Sequence, residues 1–576
     1  MNTSTRPGPR VAAPWRVEPL DGAYRVTTDD RVAFVEVMLP ATVRAVHGFT
    51  SSWGLEFRPV GGERELTLAV ESGRSSQGAV PWLGIETDEG WWTLTWHWSG
   101  NWAATAAPTA DGCLVTITFP DHVGAGAASP ALTIAHGATR GSAGVCLTGA
   151  LMGAAPRRAP LLTEWNHWWP YEDAEINEDV FLANAAVAAE LGLEVAVLDA
   201  GWFGADGDTE WYRVRGDWHL VNNARFPHGL AWLADRTRDL GIDFGVWIEA
   251  EALGEDAAVS IELPEIVARD EHGTSLGYVC LGSAAGLERV RNQVVQLATT
   301  TRARWIKWDF NLDPGRGCRR TDHGHGSEDG LVQHYLALYR LFDELHELFP
   351  DTVWEACASG GLRIDAGLAE HVDAFFLSDP DWTEHHLAVL WGASQLLPAR
   401  QILHWMQSEW RGEHRFQKVD YSGTLLRATA FDTMVRAALL HRFGVSARLT
   451  EMRPDLKVRL AAHVAVWKEW VRPLLENGSL SAITPQPLMD EQGHRTPAFQ
   501  LVDGATRLVV GFRLPPSWEW EPVVPQGLQK GRHRVTPLPR GSGEPVELTS
   551  DELTGTGLPL PPRDHDSALW LVEWLP

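Results

Sequence analysis

Between about residues 160 and 475 the chain repeats one unit, a short apolar run alternating with a stretch of helical period. LEVAVLDAGWFG follows the helix-like NEDVFLANAAVAAELG, which Asn177 and an acidic first turn open. LAWLADRTRDLG precedes DFGVWIEAE, and RWIKWDFN precedes LVQHYLALYRLFDELHELF. TVWEACASGG, AFFLSDPDW and RQILHWM continue the series. Such βα units over about 300 residues require a parallel sheet, either doubly wound or closed into a barrel. Polar or reactive residues end successive strands: Asp199, Glu249, Asp309, Cys357 and Asp379. A doubly wound sheet would gather such residues at one switch point, whereas a barrel spreads them around its C-terminal mouth. The distribution predicts a (β/α)8 barrel.

The flanking text is different. From about residue 15 to 150, RVAFVEVML, LEFRPV, WWTLTWHW and CLVTITF alternate with period two and predict a β-sandwich. LMGAAPRRAP, from 151 to 160, has the composition of a linker, and strand text returns in FQLVDGATRLVVGFRL and ALWLVEWLP. The expected domains are an N-terminal β-sandwich over 1–150, a barrel over 151–475 and a small C-terminal β-domain over 476–576. No period of the solenoid or propeller kind recurs.

Composition narrows the partners. Lys and Arg total 49 against 75 Asp and Glu, a net charge of -26, and a surface so negative repels nucleic acid and anionic membrane. The N-terminal text holds no signal-peptide core, and no apolar run reaches about 18 residues, so a cytoplasmic protein is expected. Five widely spread cysteines lack the paired spacing of a metal or disulfide framework, and reduced thiols suit that compartment. No cofactor and no metal are expected. Tryptophan occurs 29 times and tyrosine 7; indole faces suit sugar rings, but large β-rich cores collect tryptophan as well. Of the basic residues 44 are arginine and 5 lysine, and the first lysine is Lys307.

Asp309, in WIKWDFN, and Asp379, in FLSDPDW, each follow an apolar strand. Glycoside hydrolysis commonly uses two carboxyl groups across the scissile bond, one ionised and one protonated. Lys307, two residues before Asp309 and on the same strand face, would favour an ionised Asp309 and could bond a sugar hydroxyl. On spacing alone, a surface ion pair at a loop mouth is the alternative.

SSWGLEFRPV, WSGNW, LDAGWFG, the run from GDWHLVNN to FGVWIEAE, WIKWDFN, EACASGGLRID and LSDPDW occur in a fixed order. Together they resemble glycoside hydrolase family 36, the bacterial α-galactosidases, over roughly residues 45 to 405. The resemblance implies a retaining α-glycosidase without a cofactor, acting on an oligosaccharide or glycoside. It implies Asp309 as nucleophile, Asp379 as general acid/base, and Lys307 as a hydroxyl ligand. Asp199, with Trp202 beside it, falls on the segment that binds sugar hydroxyls. Cys357, Gly360 and Gly361 fall on the segment lining the sugar subsite, with Arg363 anchoring its loop. Trp247, Glu249 and Asn311 complete the set of implied substrate-binding positions, with Glu249 matching equally well a residue that orients its neighbours from behind. The family often forms homo-oligomers in which the N-terminal β-domain borders a neighbouring site, and Trp98 and Trp102 in WSGNW are where that contact is expected.

Four positions depart from the family pattern. Ala200 replaces the second Asp of an Asp-Asp pair, Trp382 an Asp, Phe376 a Trp and Leu312 an Arg. They leave the reacting carboxyls in place and change what surrounds the sugar, which predicts a preference displaced from ordinary α-galactosides. Three clusters add alternatives. Asp322, His323 and His325 lie on a Gly-rich loop suited to metal or substrate but without a clear third metal ligand. Glu384, His385 and His386 line the leaving-group side or simply start a helix, and His404 and Trp405 pack at the barrel rim. The rival functions are a metal-dependent barrel hydrolase built on Asp199, His323, His325 and Asp379, and a non-catalytic or transglycosylating sugar-binding relative.

Overall fold

The computed structural model describes residues 8–122, 128–154, 159–205, 210–412, 414, 417–489, 491–517 and 521–576. Its centre is a closed, parallel eight-stranded barrel. The strands are β1 (Glu164–Asn166), β2 (Val195–Leu198), β3 (Asp243–Ile248), β4 (Trp305–Trp308), β5 (Val353–Ala356), β6 (Ala374–Phe376), β7 (Ile402–Trp405) and β8 (Arg442–Val445). β1 closes on β8 through the pairs Glu164 with Gly444 and Trp165 with Val445. The helices that follow them are α1 (Glu178–Glu190), α2 (Gly229–Asp239), α3 (Ala284–Thr301), α4 (Gly330–Leu348), α5 (Ala366–Ala369), α6 (Thr383–Ala393), α7 (Ala428–Ala437) and α8 (Pro454–Val466). Asn177 caps α1, accepting from the Val180 N–H at 3.0 Å, as its sequence position predicts.

Strand alternation sorts the side chains. Val195 and Val197 on β2, Trp305 on β4, Val353 on β5, Phe376 on β6 and Leu403 and Trp405 on β7 fill the barrel interior as one apolar cluster. Gly444 makes room for this filling, since a Cβ there would lie 2.2 Å from the Trp405 ring. Tryptophan is used mainly as such filling: Trp165, Trp247, Trp305, Trp308, Trp354 and Trp405 are all fully buried in or around the barrel wall.

Residues before the barrel form two antiparallel sheets of five and eight strands, and residues after it form a six-stranded antiparallel sheet. Between sandwich and barrel the structure departs from the linker expectation. A helix, Arg140–Ala154, runs through the first part of that text, because Ala143, Leu147 and Leu151 give it a buried face. Residues 155–158 of the expected linker lie outside the described residues. Among the described residues, no helix is long and apolar enough to cross a membrane.

Candidate active site

Asp309 follows β4 directly, and its backbone N–H is fixed to the Ile248 carbonyl at 2.9 Å. Its carboxylate receives four donors: Asn311 Nδ2 at 2.8 Å, the Phe310 N–H at 2.8 Å, the Ser359 N–H at 3.3 Å and Trp247 Nε1 at 3.3 Å. All four of these partners donate to its oxygens. Asn311 is held in turn by Glu249, which accepts from its N–H at 2.6 Å and its Nδ2 at 3.2 Å. Arg215 Nη1 donates to both Glu249 oxygens at 2.9 Å. Glu249 therefore positions Asn311 from behind, and its buried charge is paired.

Lys307 points into the mouth from β4. Its Nζ lies 3.2 Å from Asp199 Oδ2, 4.0 Å from Glu355 Oε1, and over the rings of Phe376 and Trp405 at 4.3 and 4.5 Å. Burial opposes the ammonium charge, but Asp199, Glu355 and Asp309 outweigh it and hold the Lys307 pKa well above its ordinary value. Phe376 and Trp405 give the cation the negative faces of two rings. Asp199 also accepts from Asn166 Nδ2 at 2.8 Å, and its own N–H donates to His167 Nδ1 at 2.9 Å.

Asp379 stands across from these groups on the segment after β6, half-buried. Withdrawal from water raises its pKa to about 7, with the Asp309 and Glu56 charges adding to the rise and a hydrogen bond from Trp53 and the Lys307 charge opposing it. Trp53 Nε1 donates to Asp379 Oδ2 at 2.7 Å. The segment is supported from below by His404, whose Nε2 lies 2.9 Å from the Ser378 carbonyl and 3.2 Å from that of Pro380. Gly360 and Gly361 press against it on the other side. A Cβ at Gly361 would lie 2.1 Å from the Leu377 oxygen, and Gly360 has φ +72° with Asp379 N in its Cβ position at 2.7 Å.

The N-terminal sandwich reaches into the site. Besides Trp53, which is 47% exposed, Glu56 accepts from Ser378 Oγ at 2.8 Å. Buried Arg74 joins the two loops flanking Asp309, donating from Nη1 to the carbonyls of Phe310 and Ala358 at 3.3 and 3.2 Å and to Ser359 Oγ at 3.1 Å. Ser359 holds a left-handed φ of 50°, a conformation this network enforces.

Asp199, Lys307, Asp309, Asn311, Cys357 and Asp379 are thus gathered at one mouth, with Trp247 and Glu249 directly behind Asp309. Cys357 is buried, which pushes its thiol pKa well up, and the charges of Asp309 and Asp379 act on it in the same direction. Trp202 and Arg363 are placed elsewhere. Trp202 is fully buried and donates to the Trp247 carbonyl at 2.9 Å, so it braces Trp247 from outside the mouth. Arg363 pairs with buried Glu251 at 3.0 Å and covers the Phe310 ring at 4.8 Å, which makes it an anchor for the wall. Trp98 and Trp102 are buried, Trp98 against Tyr335 of α4, and the sandwich approaches the mouth through Trp53. Glu384 pairs with Arg495 of the C-terminal sheet domain, and His385 and His386 are buried, which removes this trio from the leaving-group side. The metal set Asp199, His323, His325 and Asp379 is not assembled: Asp322 pairs with Arg320, and both imidazoles face Cys280 and Cys318.

Several residues of the site were not singled out from the sequence. Asn166 ends, and His167 follows, a three-residue strand too short to show a period, and Trp53 and Arg74 come from another domain. Glu355 lies inside a strand, where its carboxyl is buried and held by Trp305 Nε1 at 2.7 Å; burial raises its pKa to about 7.

Fold and site define a (β/α)8 barrel protein with paired carboxyl groups at its mouth. The chain belongs to the melibiase family, whose family model matches residues 155–478. It is 28% identical over 427 residues to alpha-galactosidase AgaA of Geobacillus stearothermophilus, an alignment covering 70% of this chain and 54% of that protein. The chain therefore spans about half the length of this curated relative. The galactosidase domain of the alpha-galactosidase-sucrose kinase AgaSK has the same fold, with a TM-score of 0.80 at 18% identity over 96% of this chain and 78% of that one. A variant of the Geobacillus enzyme in complex with raffinose superposes with a TM-score of 0.79 at 20% identity, over 96% and 80% of the two chains.

Proposed function

We propose that this protein hydrolyses terminal α-galactosides, or a closely related pyranoside, by a double displacement that retains anomeric configuration. The observation that carries this reading is the contrast between the two carboxyl groups. Asp309 is ringed by donors, while Asp379 has its pKa lifted to about 7 and so can hold a proton near neutrality. Asp309 attacks the anomeric carbon; Asp379 protonates the leaving oxygen and then, as a base, activates water. Asp199 and Lys307 receive sugar hydroxyls, and Cys357 lines the same subsite. Family membership and the raffinose bound by the Geobacillus relative support an oligosaccharide substrate. The five free cysteines support a cytoplasmic location.

The test is a panel of nitrophenyl α- and β-glycosides. Turnover is expected for the α-D-galactoside, the configurationally matching β-L-arabinopyranoside or the α-D-glucoside, and for no β-D-glycoside. Absence of turnover on every α-glycoside overturns the reading in favour of a binding protein. Sugar choice has its own test at Ala200. Ala200→Asp restores a carboxylate whose charge-assisted bond contributes about 1.5 to 3 kcal/mol. The rate on a simple α-galactoside should rise by about ten- to a hundredfold, and an unchanged rate removes Ala200 from the explanation.

The pH profile follows from Asp379. The acid must be protonated in the free enzyme, so kcat/KM is full below its pKa and falls as pH rises through about 7. The Trp53 hydrogen bond lowers that pKa, so Trp53→Phe should move the alkaline limb to higher pH by roughly half a unit to one unit. A limb that stays in place in the variant would assign it to another group.

A further inference from the structure

A second cluster of chemistry-bearing residues lies apart from the carboxyl groups. Cys280 follows the hairpin strand Ser275–Val279, and Cys318, His323 and His325 lie on the loop joining β4 to α4. All four are buried, and one ligand atom from each lies within 4.8 Å of the other three. His325 Nε2 is 3.2 Å from Cys280 Sγ, and His323 Nδ1 is 3.5 Å from Cys318 Sγ. Bond lengths of about 2.3 Å to sulfur and 2.0 to 2.1 Å to nitrogen give tetrahedral edges of roughly 3.3 to 3.8 Å, close to these separations.

The surroundings fit a built site. His325 Nδ1 lies 2.7 Å from the Gly326 carbonyl, so this nitrogen carries the proton and Nε2 presents its lone pair inward. His323 Nε2 is buried and finds no hydrogen-bond partner among the described residues. Glycines let the backbone close around the imidazoles. A Cβ at Gly282 would lie 2.7 Å from His325 Cδ2, and one at Gly330 would lie 2.9 Å from His325 Cε1. Ala268, Tyr278, Phe310 and Ala358 make an apolar shell with the two cysteines. Two thiols and two imidazoles in such a shell have little but each other to bond with, and one divalent cation would satisfy all four.

We infer that Cys280, Cys318, His323 and His325 bind one structural zinc ion. Two sulfur and two nitrogen donors in tetrahedral reach select zinc over oxygen-seeking cations. All four positions are protein ligands, so no position is open for substrate or water and the ion takes no part in bond cleavage. Its place in the fold gives it a job. It clamps the segment before α3 to the loop that begins at Asp309, and Phe310, the next residue, packs in the same cluster as both cysteines. Zinc would therefore hold the wall from which Asp309 projects. The expectation of no metal rested on the wide spacing of the cysteines, and the fold brings two of them together across 37 intervening positions of chain.

The test uses the full chain purified from zinc-supplemented medium without chelator. Elemental analysis should find about one zinc per chain. Cys318→Ser should lose it, and Asp322→Asn, beside the site but paired to Arg320, should keep it. Independently of whether the Cys318 variant folds, wild-type protein exchanged with cobalt(II) should show the thiolate charge-transfer band and intense visible bands of a tetrahedral site. Zinc well below one equivalent after reconstitution, retention of full zinc by Cys318→Ser, or a Cys280–Cys318 disulfide in the non-reduced mass would each overturn the inference. An octahedral cobalt spectrum would overturn it too.

Discussion

Asp309→Ala is expected to abolish turnover on every substrate, including activated aryl glycosides, with a loss of about 10⁴- to 10⁶-fold in kcat. The size follows from what the side chain does in the proposed mechanism. A covalent intermediate forms at its oxygen, so no better leaving group can bypass it. The fold should survive the change. The Asp309 backbone N–H keeps its bond to Ile248, and Asn311 stays bound to Glu249 through two other contacts. What is left unpaired is a Trp247 N–H already at 3.3 Å, together with one Asn311 donor and two loop N–H groups beside the cavity the variant opens to water. Circular dichroism and melting temperature should therefore stay near those of the parent while turnover is lost. Residual turnover within a hundredfold of wild type would remove Asp309 from the nucleophile's role. The elemental zinc content serves as a control, because a drop would mean that the loop after β4 had moved.

Much of this site was legible because a barrel strand is a short, marked object. Five strands, β2 to β6, each carry an apolar run ended by a polar or reactive residue, and that pattern located Asp199, Glu249, Asp309, Cys357 and Asp379, while Lys307 stood out as the first lysine of the chain. β1 and β8 escaped because three or four residues of Glu-Trp-Asn or Arg-Phe-Gly-Val text show no periodicity, and with β1 went Asn166 and His167. Direction within the mouth was less legible than position. Trp202 and Arg363 sit in the right segments, yet one turns outward to the Trp247 carbonyl and the other inward to Glu251, choices made by partners distant in sequence. The same distance hid the Trp53 bond to Asp379, separated by 326 positions, and the Arg74 contacts that join the β4 and β5 loops. A pattern local to the chain reports which residues reach a mouth; only tertiary packing decides which of them face it.

Asp379→Ala should behave differently from Asp309→Ala, and the contrast is the sharper test of the mechanism. Removing a general acid costs about 10²- to 10⁴-fold where the leaving oxygen must be protonated. A nitrophenolate leaves without that help, so glycosylation of Asp309 should remain comparatively fast on the aryl glycoside. The second half-reaction then stalls, because the same carboxylate is needed to activate water. Azide needs no general base and fits the space the carboxylate vacates between Trp53 and the Gly360 backbone. It should accelerate the variant and yield a glycosyl azide whose anomeric configuration matches that of the substrate. Wild type should show no such acceleration, since Asp379 already delivers water, and its negative charge as a base would repel the anion. An azide of inverted configuration would mean that the nucleophile attacks once and that Asp379 is not the acid of a double displacement. A first-formed sugar of inverted configuration from the wild-type enzyme, followed by NMR, would lead to the same conclusion and would make Asp309 a base that holds water.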